Sequence, residues 1–256
     1  MKIKIKIKSK KYPGKFIYGE ISEINPEGPL VILTSGLSGS MDLPLFMSTT
    51  KEFKAKGVNI LKLSFCTDLD EVTKKPKALA LKNMSFSVYL AELKNVIDDL
   101  HLDLKYKKIF LLGHSFGSII SILFLSKYKK NYDLILWDQS HLPWDKKEMS
   151  RDFVFNPKTN LYREKETDLL INKTFYKELV STDILKIFSS LKKNICVIAA
   201  EGSAEEDAKK YWQKIKDREK SEFHIIKKAN HLFSSKNAQK ELFGLTLNFI
   251  ERLKKR

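Results

Sequence analysis

Six short, mainly apolar runs recur along the chain, at Leu30–Ser35, Val58–Phe65, Lys108–Leu112, Leu134–Trp137, Ile195–Ala200 and Phe223–Lys227. Most lack the alternation of a strand with one wet face. Both faces are then buried, as in parallel strands covered by helices on each side. Segments of helical periodicity separate them: Pro44–Lys56, Ser85–Leu100, Phe116–Tyr128, Glu205–Lys216 and Asn237–Leu253. This alternation predicts an α/β chain with a doubly wound, mostly parallel sheet and its chemistry at the carboxyl ends of the strands. The N-terminus departs from the series. Lys2–Lys8 and Lys15–Ser22 alternate on either side of Pro13-Gly14, which predicts an antiparallel hairpin at one edge of the sheet.

One stretch breaks the alternation. The 55 residues Gln139–Lys193 are too many for a structureless connection in a compact domain. Their weak helical patterning predicts a helical cap over the strand ends, residues 139–193, inserted into a core of residues 1–138 and 194–256. No linker or repeat divides the chain. The lysine-isoleucine alternation at the start lacks the continuous apolar segment of a signal peptide. The longest mainly apolar run, Ile119–Leu125, falls short of the roughly 20 residues that cross a bilayer. The expectation is a protein with no transmembrane segment and a cytoplasmic location. Cys66 and Cys196 read as buried free thiols, and no Cys/His spacing suggests a metal. The net charge of +16 comes from 42 Lys and 5 Arg spread over the chain. No nucleic-acid motif accompanies it, so it reads as a solvated lysine-rich surface without a specific nucleic-acid partner.

The most informative segment is Gly113-His114-Ser115-Phe116-Gly117, set between the strand Lys108–Leu112 and the helix Phe116–Tyr128. A strand that turns at once into a helix strains the backbone at the serine, and side chains at the two flanking positions would collide with the strand and helix. The plain alternative is an ordinary turn with Ser115 as a helix cap. With LVILTSGLSGS, GVNILKLSF, NICVIAAEG and KKANHLF, the motif resembles the α/β-hydrolase superfamily, in its small esterase, lipase and serine-peptidase branches, over nearly the whole chain. The resemblance implies that Ser115 is a nucleophile, that His231 is its base, and that the main-chain amides of Phe116 and Leu37 form an oxyanion hole. Many relatives begin the first of these loops with His-Gly where this chain has Ser35-Gly36, a change that leaves a main-chain donor intact. They also carry a glycine-rich segment where it has Cys66-Thr67-Asp68-Leu69-Asp70-Glu71.

The acid of the triad stays open at this level. Aligned by strand length, Ser203 takes the place of the usual aspartate; aligned by Gly202, the acid is Glu205; and Glu201 lies between. Asp138, which ends the apolar strand Leu134–Trp137, is the other candidate, because some branches place the acid after that strand. Glu205, with Glu206 and Asp207, also looks like the acidic first turn of a helix. The resemblance implies a serine hydrolase of carboxylic esters acting through an acyl-enzyme, with a small-molecule acyl substrate and no cofactor. Thioesterase, small-peptidase and catalytically impaired binding functions are the alternatives, and the oligomeric state is open. Trp144, Phe153, Phe155, Tyr162, Phe175 and Tyr176 would either wall an acyl pocket or fasten the cap to the core.

Overall fold

A computed structural model describes residues 1–37, 39–69, 76–77, 81–166 and 169–254. The hairpin is β1 (Lys2–Lys8) and β2 (Phe16–Ser22), followed by β3 (Leu30–Thr34), α1 (Pro44–Ala55), β4 (Asn59–Leu69) and the two-residue β5 (Pro76–Lys77). Next come α2 (Phe86–Asp99), α3 (Leu102–Lys105), β6 (Ile109–His114), α4 (Phe116–Tyr128) and β7 (Asp133–Trp137). The insertion holds α5 (Lys146–Asp152), β8 (Phe153–Asn156), β9 (Leu161–Glu164), β10 (Leu170–Asn172), α6 (Lys173–Ser181) and α7 (Ile184–Ser189). The chain ends with β11 (Ile195–Ala200), α8 (Glu205–Lys214), β12 (Glu222–Ile226) and α9 (Lys236–Lys254).

The main sheet runs β1-β2-β4-β3-β6-β7-β11-β12, with β5 paired to β4. From β4 to β12 its neighbours are parallel, whereas β1 and β2 join antiparallel. As expected of buried parallel strands, β3, β6, β7 and β11 are buried at every residue. One face packs against α2, α4, α7 and α8 through residues such as Leu93, Ile119, Phe188 and Tyr211. The other packs against α1 and α9 through Phe53, Leu242, Phe243 and Phe249. The chain leaves β3 toward β4 on one side and β6 toward β7 on the other, so the connections from these neighbouring strands part at their carboxyl ends. That divergence opens a crevice in which open α/β sheets bind ligands. At the opposite extreme, the edge strand β1 exposes Lys2, Lys4, Lys6 and Lys8 while burying Ile5 and Ile7. Lysines on an edge oppose pairing with another sheet.

The insertion contains more than the helices expected of it. β8, β9 and β10 form a separate three-stranded antiparallel sheet. Their three or four residues are mostly exposed or half-buried and show no clean period of two, so periodicity had nothing to register. Two side chains tie the insertion to the core. Asn172 Nδ2 donates to the main-chain oxygens of Lys82 and Met84 at 2.9 and 2.7 Å, and Glu178 Oε2 accepts the first amide of α2, Phe86 N, at 2.7 Å. Phe175 is wholly buried among Phe86, Tyr89 and Phe116, with ring centroids 5.8–6.3 Å away. Phe175→Ala is expected to cost about 3–5 kcal/mol, the usual range for an emptied aromatic core site, read as a drop in the urea midpoint.

Candidate active site

Ser115 sits between the end of β6 and the start of α4 with φ 54° and ψ −126°, a region that L-residues avoid and that persists only where surrounding structure enforces it. Its amide donates to Trp137 O on β7 at 3.0 Å. The flanking glycines are sterically required. A Cβ on Gly113 would lie 2.5 Å from the Ser118 backbone, and one on Gly117 would lie 2.2 Å from Thr34 O. The turn is therefore clamped between α4 and the end of β3. The loop after β3 comes equally close: a Cβ on Gly36 would lie 3.1 Å from Ser115 Cβ. Leu37 is the next residue along this loop, while Phe116 N is among the first amides of α4, which have no acceptor within the helix.

Three chain segments meet at Asp138. It follows β7 with φ 41° and is completely buried. Its Oδ1 accepts Ala200 N at 2.8 Å and Ala204 N at 3.4 Å. Its Oδ2 accepts the Ser203 hydroxyl and His231 Nδ1, each at 2.6 Å. Burial pushes the carboxyl up, but the hydrogen bonds from His231, Ser203 and the Ala200 amide, with the nearby imidazole charge, outweigh it and hold the group below the ordinary carboxylate range. A carboxylate only accepts, so Nδ1 of His231 carries the hydrogen of this bond and Nε2 lies outside the pair.

The other acids are engaged elsewhere. Glu201 accepts Lys228 N at 3.0 Å, and Glu205 pairs with Lys209 at 2.9 Å in the first turn of α8. Ser203 occupies the position expected of the usual acid and donates to Asp138 instead.

Ser115 and His231 are not joined. Among the described residues no hydrogen bond links Ser115 to His231, and Ser115 Oγ lies 3.4 Å from Ser140 Oγ. His231 has a half-exposed side chain. Beside it opens a cleft of about 340 Å³ lined by Asp138, Ser140, Trp144, Ser203 and Asp207 among others. A larger cleft, about 790 Å³, lies at the amino ends of β7 and β11, near Asn131 and Asn194, away from Ser115.

Of the insertion aromatics, Trp144 lines the cleft, Phe175 packs on the core, and Tyr162 stacks on Tyr176 at 3.9 Å. Cys196 is a buried free thiol, while the side chain of Cys66 lies outside the described residues. Cys196, Glu222 and His224 group their polar atoms within 4.8 Å of one another, but Glu222 Oε1 accepts Arg252 Nη2 at 2.8 Å and Oε2 is 3.0 Å from His224. The carboxylate is thus already balanced by a guanidinium.

Sequence reasoning passed over His114. The side chain is 2% exposed, and its Nε2 is 2.9 Å from His231 O. Burial pushes its pKa down to about 4 against the opposing pull of that hydrogen bond. The signal was available: a histidine at the end of a wholly apolar strand must be neutral or paired.

The fold places the chain among known structures. It is similar to Est1E from Butyrivibrio proteoclasticus, at 12% identity and a TM-score of 0.72 over 97% of this chain and 99% of the other. It is similar also to the alpha/beta hydrolase GrgF from a Penicillium species, at 13% identity and 0.74 over 98% of each. The mouse alpha/beta hydrolase domain-containing protein 10 gives 14% and 0.72 over 98% and 99%. The chain has the α/β-hydrolase fold. The model of the lecithin:cholesterol acyltransferase family matches residues 81–151, which in this fold run from before α2 through the serine turn to Asp138 and α5. No curated protein matches the chain in sequence. No helix among the described residues is long and apolar enough to cross a membrane.

Because the folded pKa of Asp138 is lowered, its contribution to stability is present above the unfolded value of about 3.9. It is lost as pH falls through the lower folded value. Asp138→Asn is therefore expected to lower unfolding free energy by about 3 kcal/mol near pH 7. Urea titrations should show the gap from wild type closing as pH drops below about 4.

Proposed function

We propose that the chain is a serine hydrolase that cleaves a carboxylic ester or related acyl bond through an acyl-enzyme on Ser115. The observation that carries the reading is Asp138 Oδ2 at 2.6 Å from His231 Nδ1, a carboxylate-imidazole pair on the strand ends that hold the strained serine turn. A carboxylate so placed fixes the imidazole tautomer and stabilises the imidazolium. Ser115 Oγ attacks the acyl carbon as His231 Nε2 takes its proton. The amides of Leu37 and Phe116 receive the oxyanion. His231 then returns the proton to the departing alkoxide, and a water activated in the same way releases the acid.

The esterases and hydrolases among the similar folds support this reading by analogy alone. A carboxylic ester is the lead substrate, with thioesters and small peptides as variants of the same chemistry.

One observation favours a second reading, a binding protein of the same fold: Ser115 Oγ faces Ser140 rather than His231. Hydrogen bonds of this kind are often long in an empty site and tighten with substrate, which keeps hydrolysis ahead.

A fluorophosphonate probe is expected to label wild type and to leave Ser115→Ala unlabelled; equal labelling of the two would sink the assignment. Asp138→Asn is expected to lower kcat on a p-nitrophenyl ester by about 10³–10⁴-fold. Glu201→Gln and Glu205→Gln should stay within about threefold of wild type.

A further inference from the structure

The chemistry of a serine nucleophile does not call for a histidine at the variable position of its turn, yet the buried ring of His114 lies against that of the proposed base. Its ring centroid is 4.9 Å from that of His231 with the planes inclined at 40°, and Phe46 of α1 meets it edge-on at 6.1 Å. The main-chain oxygen of His231 can only accept, so His114 Nε2 carries the hydrogen and donates across 2.9 Å. Its Nδ1 is buried without a partner. A second proton there would leave a buried donor unsatisfied and place a positive charge against His231. The titratable groups that face it are His231, from the loop after β12, and Asp138, from the end of β7. Phe46, from α1, is neutral.

The His231 loop needs such a hold. Phe233 anchors it in the core, completely buried, and Asn230 closes it onto Ser234 at 2.9 and 3.2 Å. His231 itself is half exposed, and among the described residues the bond from His114 is the one made by its main chain.

We propose that His114 is a positioning residue for His231: it fixes the main chain of the base by a donated hydrogen bond and lies against its ring as a neutral neighbour. The proposal rests on the reading of His231 as base. Its neutrality matters because His231 becomes an imidazolium when it takes the serine proton, and a charged neighbour would oppose that step.

The test compares His114→Gln, which keeps a neutral donor, with His114→Leu, which keeps bulk without one. His114→Leu is expected to lower kcat on a p-nitrophenyl ester at least tenfold, with KM within threefold and the folded fraction unchanged by circular dichroism. His114→Gln should recover to within threefold of wild type. Amide hydrogen exchange at residues 230–233 should speed up at least tenfold in the leucine variant and stay near wild type in the glutamine variant. The acid limb of kcat/KM should follow one proton in wild type and be unmoved by His114→Gln.

Leucine and glutamine variants that behave alike, or a two-proton limb that becomes a one-proton limb in His114→Gln, would overturn the proposal. The exchange measurement needs no turnover. It therefore decides the role of His114 independently of fluorophosphonate labelling, whose failure would count against Ser115 alone.

Discussion

A carboxylate buried without any solvent contact has to be surrounded by donors, and Asp138 organises this end of the molecule for that reason. Its two oxygens take the main-chain amide of the last residue of β11, a second amide four residues later, one hydroxyl and one imidazole. The ends of β7 and β11 and the loop after β12 are thereby held to a single group. Leaving a buried charge without its partners costs about 3–5 kcal/mol, so each of the three segments is pinned by a penalty larger than most single contacts. The left-handed backbone at Asp138 belongs to the same arrangement. It turns the carboxylate away from solvent and toward β11, and the strain is held by the bonds it makes possible.

The serine turn is constrained in a different way, by space rather than charge. Gly113 and Gly117 leave no room for a Cβ, so α4 starts hard against the ends of β6 and β3. Trp137 O accepts the Ser115 amide, and the next residue is Asp138. Two consecutive residues at the end of β7 thus support both the proposed nucleophile and the proposed acid. A disturbance at this strand end would reach both groups.

The core was legible because burial on both faces writes itself into the sequence as uninterrupted apolar runs. β3, β6, β7 and β11 fall within a residue or two of those runs, and the turn Gly113–Gly117 announces its geometry through the two positions where only glycine fits. The parts that were not legible depend on contacts distant in sequence. β8, β9 and β10 are three or four residues long and only Ile171 of them is fully buried, so their residues carry no core pattern. His114 looked like filler because its partner is the main chain of a residue 117 positions away. Of the segment Cys66–Glu71, which departs from the pattern the sequence resembles, Cys66 to Leu69 prolong β4, while Asp70 and Glu71 lie outside the described residues.

The proposed acid is ambiguous in sequence because two strand ends far apart along the chain are neighbours in space. β7 and β11 are parallel neighbours with Trp137 opposite Ile198, and Asp138 N donates to Ile198 O at 2.8 Å. Loops leaving these two strands therefore begin side by side. Ser203, in the later loop, brings its hydroxyl within 2.6 Å of the Asp138 carboxylate, so side chains from the two positions converge on one point below the His231 ring. An imidazole responds to where a carboxylate oxygen lies, whichever strand carries it. Once Asp138 fills that point, a second acid at position 203 would set two negative charges within hydrogen-bond distance. One of them would have to be protonated. A hydroxyl donor there removes the conflict and stabilises the charge that remains, which accounts for a serine at the position where sequence alignment seeks an acid.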